Sequence, residues 1–134
     1  MDNLETNNEL FELCKEVYEK KPGWITGDWF LQDPDGKIIG KAHPAIRHMD
    51  REWKNGYRTD VPLYTSDYLL EKLPESIKIE NSFYAWLSMD NLGEDGWQFS
   101  YRMGNDKPFH KTVADTPLKS LLKLTLALHE AGEL

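Results

Sequence analysis

Residues 116–132 read TPLKSLLKLTLALHEAG, and this stretch decides the fold. Thr116 can accept a hydrogen bond from the first amides of a helix, and Pro117 has no amide to leave unpaired. Gly132 tolerates the left-handed turn that follows a last helical residue. The sequence therefore predicts a helix between these punctuation residues. Its leucines cover an arc of about 200°, wider than a contact between two helices needs, so we expect the helix to lie across a sheet.

The helix also carries polar side chains, both outside and inside the leucine arc. The remainder outside the leucine arc is filled by Lys119, Ser120, Lys123, Ala127 and Glu130. Thr125 and His129 fall inside the arc, so we expect His129 to be partly buried near the helix C-terminus, where the helix dipole favours it. Catalysis by His129 would need a second acid, base or nucleophile within reach, and the sequence identifies none.

Strand patterns precede the helix. The predicted strands are Ile77–Glu80, Phe83–Asp90, Trp97–Met103 and an edge strand at His110–Val113. Within the second strand, Phe83, Ala85, Leu87 and Met89 alternate with Tyr84, Trp86, Ser88 and Asp90. An antiparallel meander with one apolar face requires a cover, and the C-terminal helix supplies it.

The first half of the chain predicts helices and a hairpin. A helix is expected from a capping box at Thr6 and Glu9 to the stop at Lys21-Pro22-Gly23. A hairpin follows, with strands Trp24–Gln32 and Lys37–Lys41 around the turn Asp33-Pro-Asp-Gly36. Thr65 or Ser66 caps a short helix that ends before Pro74. Together the patterns predict a single α+β domain over residues 1–134, with an antiparallel sheet and the N- and C-terminal helices packed on one face.

Composition limits the class of protein. The chain has 134 residues, 40% of them hydrophobic, which suits one compact domain. Cys14 is the only cysteine, no apolar run is long enough to cross a membrane, and residues 1–5 lack the features of a signal peptide. We therefore expect a cytoplasmic protein without a membrane partner. The net charge of -7 disfavours nonspecific nucleic-acid binding.

Residues 44–58 combine basic and aromatic side chains. A short helix is predicted over Pro44–Lys54, in which Arg47, Arg51 and Lys54 fall within about 60° of one another. The basic–aromatic segment, as we call this candidate binding site, consists of Arg47, Arg51, Trp53, Lys54, Tyr57 and Arg58. Grouped guanidinium ions can bind phosphate or carboxylate. The alternative is a solvated face with local ion pairs, because Asp50 and Glu52 lie among the bases.

Metal binding and catalysis have little support in the sequence. His43 and His48 lie near Asp50 and Glu52, but only His48 and Glu52 are four residues apart, and a zinc site needs three or four convergent ligands. The chain has no nucleophile elbow, phosphate-binding glycine loop, dinucleotide fingerprint or HExxH pattern. We therefore expect no metal or cofactor and assign no catalytic residue, and the balance favours a protein that is not an enzyme.

A family resemblance covers residues 61–134. Its landmarks are the segment PLYTSDYLLEKLP at Pro62–Pro74, the paired aromatic strands, Ala114–Pro117 and the leucine-rich helix ending at His129–Gly132. With these landmarks the chain resembles small uncharacterised proteins encoded by phages, prophages and other bacterial mobile elements. The resemblance implies a shared scaffold and transfers no catalytic residues, and it does not extend to the first 60 residues.

The leading functional hypothesis is a non-enzymatic accessory protein of mobile-element type that binds a protein partner. Trp53 and Tyr57 are its candidate anchors, because Trp, Tyr and Arg are enriched at binding hot spots. Trp24, Trp29 and Tyr64 either join such a patch or pack over the sheet as core residues. The alternative function is a small anion- or nucleotide-binding domain, with or without hydrolytic activity. Homodimerisation through an exposed sheet edge is a further alternative that the sequence leaves open.

Overall fold

A computed structural model describes residues 4–26, 28–42, 58–79, 83–104 and 108–134. The helices are α1 (Leu4–Lys20), α2 (Ser66–Lys72) and α3 (Pro117–Glu130). The strands are β1 (Trp29–Gln32), β2 (Ile38–Ala42), β3 (Ser76–Lys78), β4 (Tyr84–Asn91), β5 (Trp97–Arg102) and β6 (Phe109–Ala114), with a 3-10 turn at Gly93–Asp95. The α+β class is confirmed, as is the order of a hairpin followed by a meander.

The chain divides into two compact units, Met1–Tyr64 and Thr65–Leu134. The first unit holds α1 and the β1–β2 hairpin, and the second holds α2, α3 and a four-stranded antiparallel sheet in the order β3-β4-β5-β6. The organisation as a single domain stays a prediction.

In the first unit, α1 packs on the hairpin through aromatic pairs. Phe11 meets Phe30 edge-on with ring centroids 5.2 Å apart, and Tyr18 meets Trp29 in the same way at 5.9 Å. Such edge-to-face pairs add about 0.5–1.5 kcal/mol beyond the area that they bury. The helix begins at Leu4, so the predicted cap residue Thr6 lies inside it rather than before it. Nothing in the preceding residues Leu4 and Glu5 opposes helical geometry, since both are good helix formers.

The hairpin turn forms as its sequence predicts. The Asp33 carboxylate accepts hydrogen bonds from the amides of Asp35 at 2.9 Å and Lys37 at 2.8 Å, and Gly36 takes a left-handed φ of 86°. The first strand is shorter than predicted and begins at Trp29, and Trp24 instead closes a turn by donating its amide hydrogen to the Lys21 carbonyl.

A further extended segment lies on the outer side of β1. The Phe30 amide donates to the Val61 carbonyl at 2.8 Å, and Gln32 exchanges backbone hydrogen bonds with Arg58. Residues 58–62 therefore run antiparallel to β1 through isolated bridges and protect its edge.

In the second unit, α3 covers β5 and β6 and has the predicted ends. Thr116 accepts a hydrogen bond from the Lys119 amide at 3.2 Å, and Pro117 is the first helical residue. At the other end, Gly132 has a φ of 80°, and the amides of Gly132 and Glu133 donate to the His129 and Leu128 carbonyls. This pair of bonds is a Schellman motif, which satisfies the last carbonyl groups of the helix.

Two residues outside the leucine arc are nevertheless buried. Lys119 is almost fully buried, and its Nζ lies 3.2 Å from the Asp115 carboxylate, one turn earlier. Ser120 donates to the Thr112 carbonyl at 3.0 Å, while the Thr112 hydroxyl donates to the Ser120 carbonyl at 2.9 Å. These partners satisfy the polar groups, which is why α3 can bury a wider arc than its leucines alone.

Burial along β4 departs from the predicted apolar face. Ala85 is buried, but Phe83 and Met89 are exposed, although both belong to the alternation that should face the core. The C-terminal helix packs mainly on β5 and β6 rather than on β4. Alternation therefore predicted the side of the strand correctly and overestimated how much of that side is covered.

Candidate functional site

Most of the basic–aromatic segment lies outside the described residues. This applies to Arg47, Arg51, Trp53, Lys54 and Tyr57, and also to the predicted helix over Pro44–Lys54 and to His43 and His48. Arg58 is described: its backbone pairs with Gln32, and its exposed guanidinium Nε lies 3.8 Å from the Asp60 carboxylate.

The aromatic residues of the first unit belong largely to its core. Trp29 and Tyr64 are buried, and the Tyr64 hydroxyl donates to the Trp24 carbonyl at 2.8 Å. Burial raises the pKa of the nearby Cys14 thiol to about 12, against a smaller opposing effect of a hydrogen bond to the Tyr64 backbone. A thiol in this state behaves as a small apolar side chain. For Trp29 and Tyr64, the core interpretation is therefore the one that holds.

Neither a metal cluster nor a membrane helix is found among the described residues. Within those ranges, no three His, Cys, Asp or Glu side chains are grouped so that they could hold a metal ion. In the same part of the chain, no helix combines the length and apolar character that crossing a membrane requires.

The second unit exposes two aromatic side chains on the sheet face opposite to α3. We call this surface the outer face; it comprises Ser76 and Lys78 from β3, Tyr84, Trp86, Ser88 and Asp90 from β4, and Gln98, Ser100 and Arg102 from β5. Tyr84 and Trp86 are two residues apart on β4, and their exposed fractions are 48% and 57%. Their cross-strand neighbours are Lys78 beside Tyr84, and Ser76 and Arg102 on either side of Trp86.

A polar network lies beside the aromatic pair. The Asp90 carboxylate lies 3.7 Å from the Arg102 Nε and 3.4 Å from the Gln98 side-chain amide, which donates to it. The register places Ser88 and Ser100 between Asp90 and Arg102, so the arginine side chain extends along the sheet past Ser100 to reach its partner. Ser100 is fully buried, and its hydroxyl has no hydrogen-bond partner among the described residues. The Arg102 Nε is buried and makes no hydrogen bond within the described ranges, and Arg102 lies opposite Trp86 in the register.

The two edges of this sheet differ. On β6, His110 has a φ of 57° at a bulge, and Lys123 Nζ donates to the Val113 carbonyl at 3.2 Å. Val113 lies opposite Gln98 of β5, but its carbonyl accepts the Lys123 bond and so points away from β5, and the amide of the same residue points the same way. A bulge and a lysine are two devices by which natural sheets prevent an edge from pairing with another chain.

On the opposite side, β3 covers only the first half of β4. The last backbone bond between them runs from the Leu87 amide to the Glu75 carbonyl at 2.9 Å. The backbone groups of a strand point alternately to its two neighbours, so those of Met89 and Asn91 point the same way as those of Leu87, away from β5. Among the described residues no strand pairs with Ser88–Asn91 on that side, which we call the open edge.

The arrangement can bind but offers no assigned chemical step. Two exposed aromatic rings on a paired strand, with a guanidinium beside them, form a surface suited to stacking and to contacts with a partner's apolar groups. The alternation of β4 already separated Tyr84 and Trp86 from the apolar face, and large aromatic residues on a polar face were the signal that could have identified this site. The basic–aromatic segment does not include these two residues.

Comparison of the chain with protein-family models, curated proteins and solved structures finds no match.

Proposed function

We propose that the protein is a non-enzymatic accessory protein that binds a protein partner, and that the outer face of the second unit is a principal contact surface. The observation that carries the proposal is the exposure of Tyr84 and Trp86, side by side on one strand. Trp, Tyr and Arg dominate the energetics of protein interfaces, and loss of such an anchor costs about 2 kcal/mol or more of binding free energy.

Rigidity supports this assignment. Tyr84 and Trp86 both pair with β3, and β4 also pairs with β5 from Trp86 to Asn91. Arg102, which lies opposite Trp86, is within ion-pair distance of Asp90. A backbone that is already ordered loses less conformational entropy on binding, so more of the contact energy appears as affinity.

The remaining parts of the proposal come from the sequence. The resemblance of residues 61–134 to mobile-element proteins supports an accessory role, and the basic–aromatic segment adds Trp53 and Tyr57 as further anchors. The alternative anion- or nucleotide-binding function has less support from Arg58, whose guanidinium lies close to the Asp60 carboxylate.

Quantitative capture with matched variants tests the proposal. The intact chain serves as bait in cells that contain its partner, and bound proteins are quantified for the parent and for a Tyr84→Ser/Trp86→Ser double variant. We expect the specific partner to be lost by at least tenfold from the double variant, while thermal unfolding stays near that of the parent because both side chains are exposed.

The control is an Ile25→Ser/Ile39→Ser double variant, which removes two apolar side chains of similar exposure, 52% and 48%, from the first unit. It should retain the partner. Equal capture by all three proteins, or no protein enriched above an empty support, would refute the proposed function.

A further inference from the structure

We infer that the open edge at Ser88–Asn91 binds a basic, extended segment of the partner by strand addition, in line with β3. This inference rests on the proposed function and specifies how the partner binds. In strand addition, main-chain hydrogen bonds supply affinity, and alternate side chains of the incoming segment supply specificity.

The position at which β3 begins leaves room for such a segment. Glu75 makes the outermost backbone contact with β4, and Pro74 precedes it, so the chain enters the sheet only at this point, whereas β4 continues to Asn91. The Pro74 carbonyl is occupied by the Tyr101 hydroxyl, which donates to it at 2.7 Å. An added strand would therefore lie beyond the first residue of β3 and would meet the backbone groups of Met89 and Asn91.

Exposed side chains on both sides of the sheet border this edge. Met89 is 54% exposed and lies on the side of the sheet that α3 covers elsewhere, whereas Trp86 lies on the outer face. Successive side chains of an added strand alternate between the same two sides. Apolar residues at alternate positions of the segment could thus pack on Met89, and those between them would project over the outer face next to Trp86.

Charge selects a basic segment over a second copy of this chain. The residues around the open edge include four acids, Glu75, Asp90, Glu94 and Asp95, of which Asp90 is paired with Arg102. Pairing of two open edges would bring two such sets together, and like charges across an interface oppose binding. Lysine or arginine side chains on the incoming segment would instead be attracted.

The open edge also lacks the protection that the other edge has. Neither a bulge nor a lysine contact is present at Ser88–Asn91 among the described residues, whereas β6 has both. Natural sheets that must not pair with other chains usually protect their edges. An unprotected edge beside exposed aromatic residues favours a surface that is used for binding.

The test uses backbone amide NMR of the intact chain with a capped hexapeptide of alternating lysine and valine. We expect peptide binding to perturb the Met89 and Asn91 amides and to protect them from hydrogen exchange at least tenfold, with affinity falling as salt rises. A glutamate–valine hexapeptide should bind at least tenfold more weakly. Of two peptides N-methylated at every valine or at every lysine, at least one should lose binding.

Met89→Pro removes the outward amide hydrogen without touching a bond to β5, and it should abolish peptide binding. Val113→Pro is the matched control, because Val113 also points its amide away from β5 but lies on the protected edge. It should bind the peptide as the parent does. If Met89→Pro does not fold, Met89→Lys/Asn91→Lys is used instead, since the added charges should repel the peptide.

The outcomes distinguish the inference from the proposed function. Absence of amide perturbation by the lysine–valine peptide, or equal binding of the glutamate peptide, overturns the inference. Protection of the same amides that rises with protein concentration in the absence of peptide also overturns it, because the occupant is then a second copy. If Met89→Pro still captures the partner that the Tyr84→Ser/Trp86→Ser variant loses, the inference fails while the proposed function stands.

Discussion

The two edge strands of the four-stranded sheet, β3 and β6, each flank one central strand, yet the β6 edge is protected and the β3 edge is incomplete. At β6, the edge is protected by the left-handed residue His110 and by the contact between Lys123 and the Val113 carbonyl. At β4, the three-residue strand β3 leaves Ser88–Asn91 without a neighbour on one side within the described ranges. Strand length and side-chain placement, rather than strand order, therefore distinguish the two edges of this sheet.

The largest predicted effect concerns the turn that joins the two central strands, β4 and β5. Gly96 begins the return from β4 into β5 with a φ of 102°, and a Cβ placed there would overlap the Ala114 carbonyl at the end of β6. Gly96→Ala would therefore combine backbone strain with displacement of β6. We expect a loss of about 3 kcal/mol or more in the free energy of unfolding, measured by chemical denaturation.

Gly93→Ala is the control for this substitution. Gly93 also has a positive φ, 69°, but an added Cβ would meet nothing within 4 Å. Its cost should be limited to strain, about 1 kcal/mol. Equal destabilisation by the two variants would mean that the contact between Gly96 and β6 contributes little.

A smaller effect concerns the hydrogen bond between Tyr101 and Pro74, next to the point where the chain enters β3. Tyr101 is buried and donates its hydroxyl to the Pro74 carbonyl at 2.7 Å. Tyr101→Phe removes this bond and leaves the carbonyl without that donor, so we expect a loss of about 1–2 kcal/mol in the free energy of unfolding. Leu87 amide exchange should also become faster, because its acceptor Glu75 adjoins Pro74.

The same hydroxyl predicts a pH dependence. Burial, and secondarily the negative charge of Glu133, raise the pKa of Tyr101 from 10.0 to about 12. The unfolded chain gives up this proton near pH 10 while the folded chain keeps it, so the folded state binds more protons and stability falls as pH rises from about 10 to 12. Tyr101→Phe should show a shallower alkaline decline than the parent. Cys14 adds its own decline to both proteins and cancels in the comparison.

Much of this fold could be predicted from sequence because its signals are local. Thr116, Pro117 and Gly132 fix the ends of α3 through hydrogen bonds within a few residues, and Asp33 and Gly36 fix the hairpin turn in the same way. Period-two alternation likewise assigned β4 side chains to the two sides of the sheet.

The rest depends on distant parts of the chain. Met89 is exposed because α3 packs mainly on β5 and β6, and no pattern within β4 encodes where the helix packs. Burial of Lys119 depends on Asp115 as a partner, against the usual exposure of lysine. The alternation predicted which β4 side chains lie on the outer face. The open edge, in contrast, depends on β3 being only three residues long. A register between strands cannot be obtained from either strand alone.

The smallest predicted effect on stability tests the protected edge directly. Lys123→Gln weakens the contact with the Val113 carbonyl at an accessible site, so the free energy of unfolding should change by no more than about 0.5 kcal/mol. Self-association should nevertheless increase, because the β6 edge then presents a backbone acceptor with less protection. Sedimentation velocity over a series of protein concentrations measures this, with Lys123→Arg as the control that keeps a cationic donor. If the glutamine variant associates no more than the arginine variant, the bulge at His110 is sufficient to protect the edge, and the difference between the two edges resides in the backbone alone.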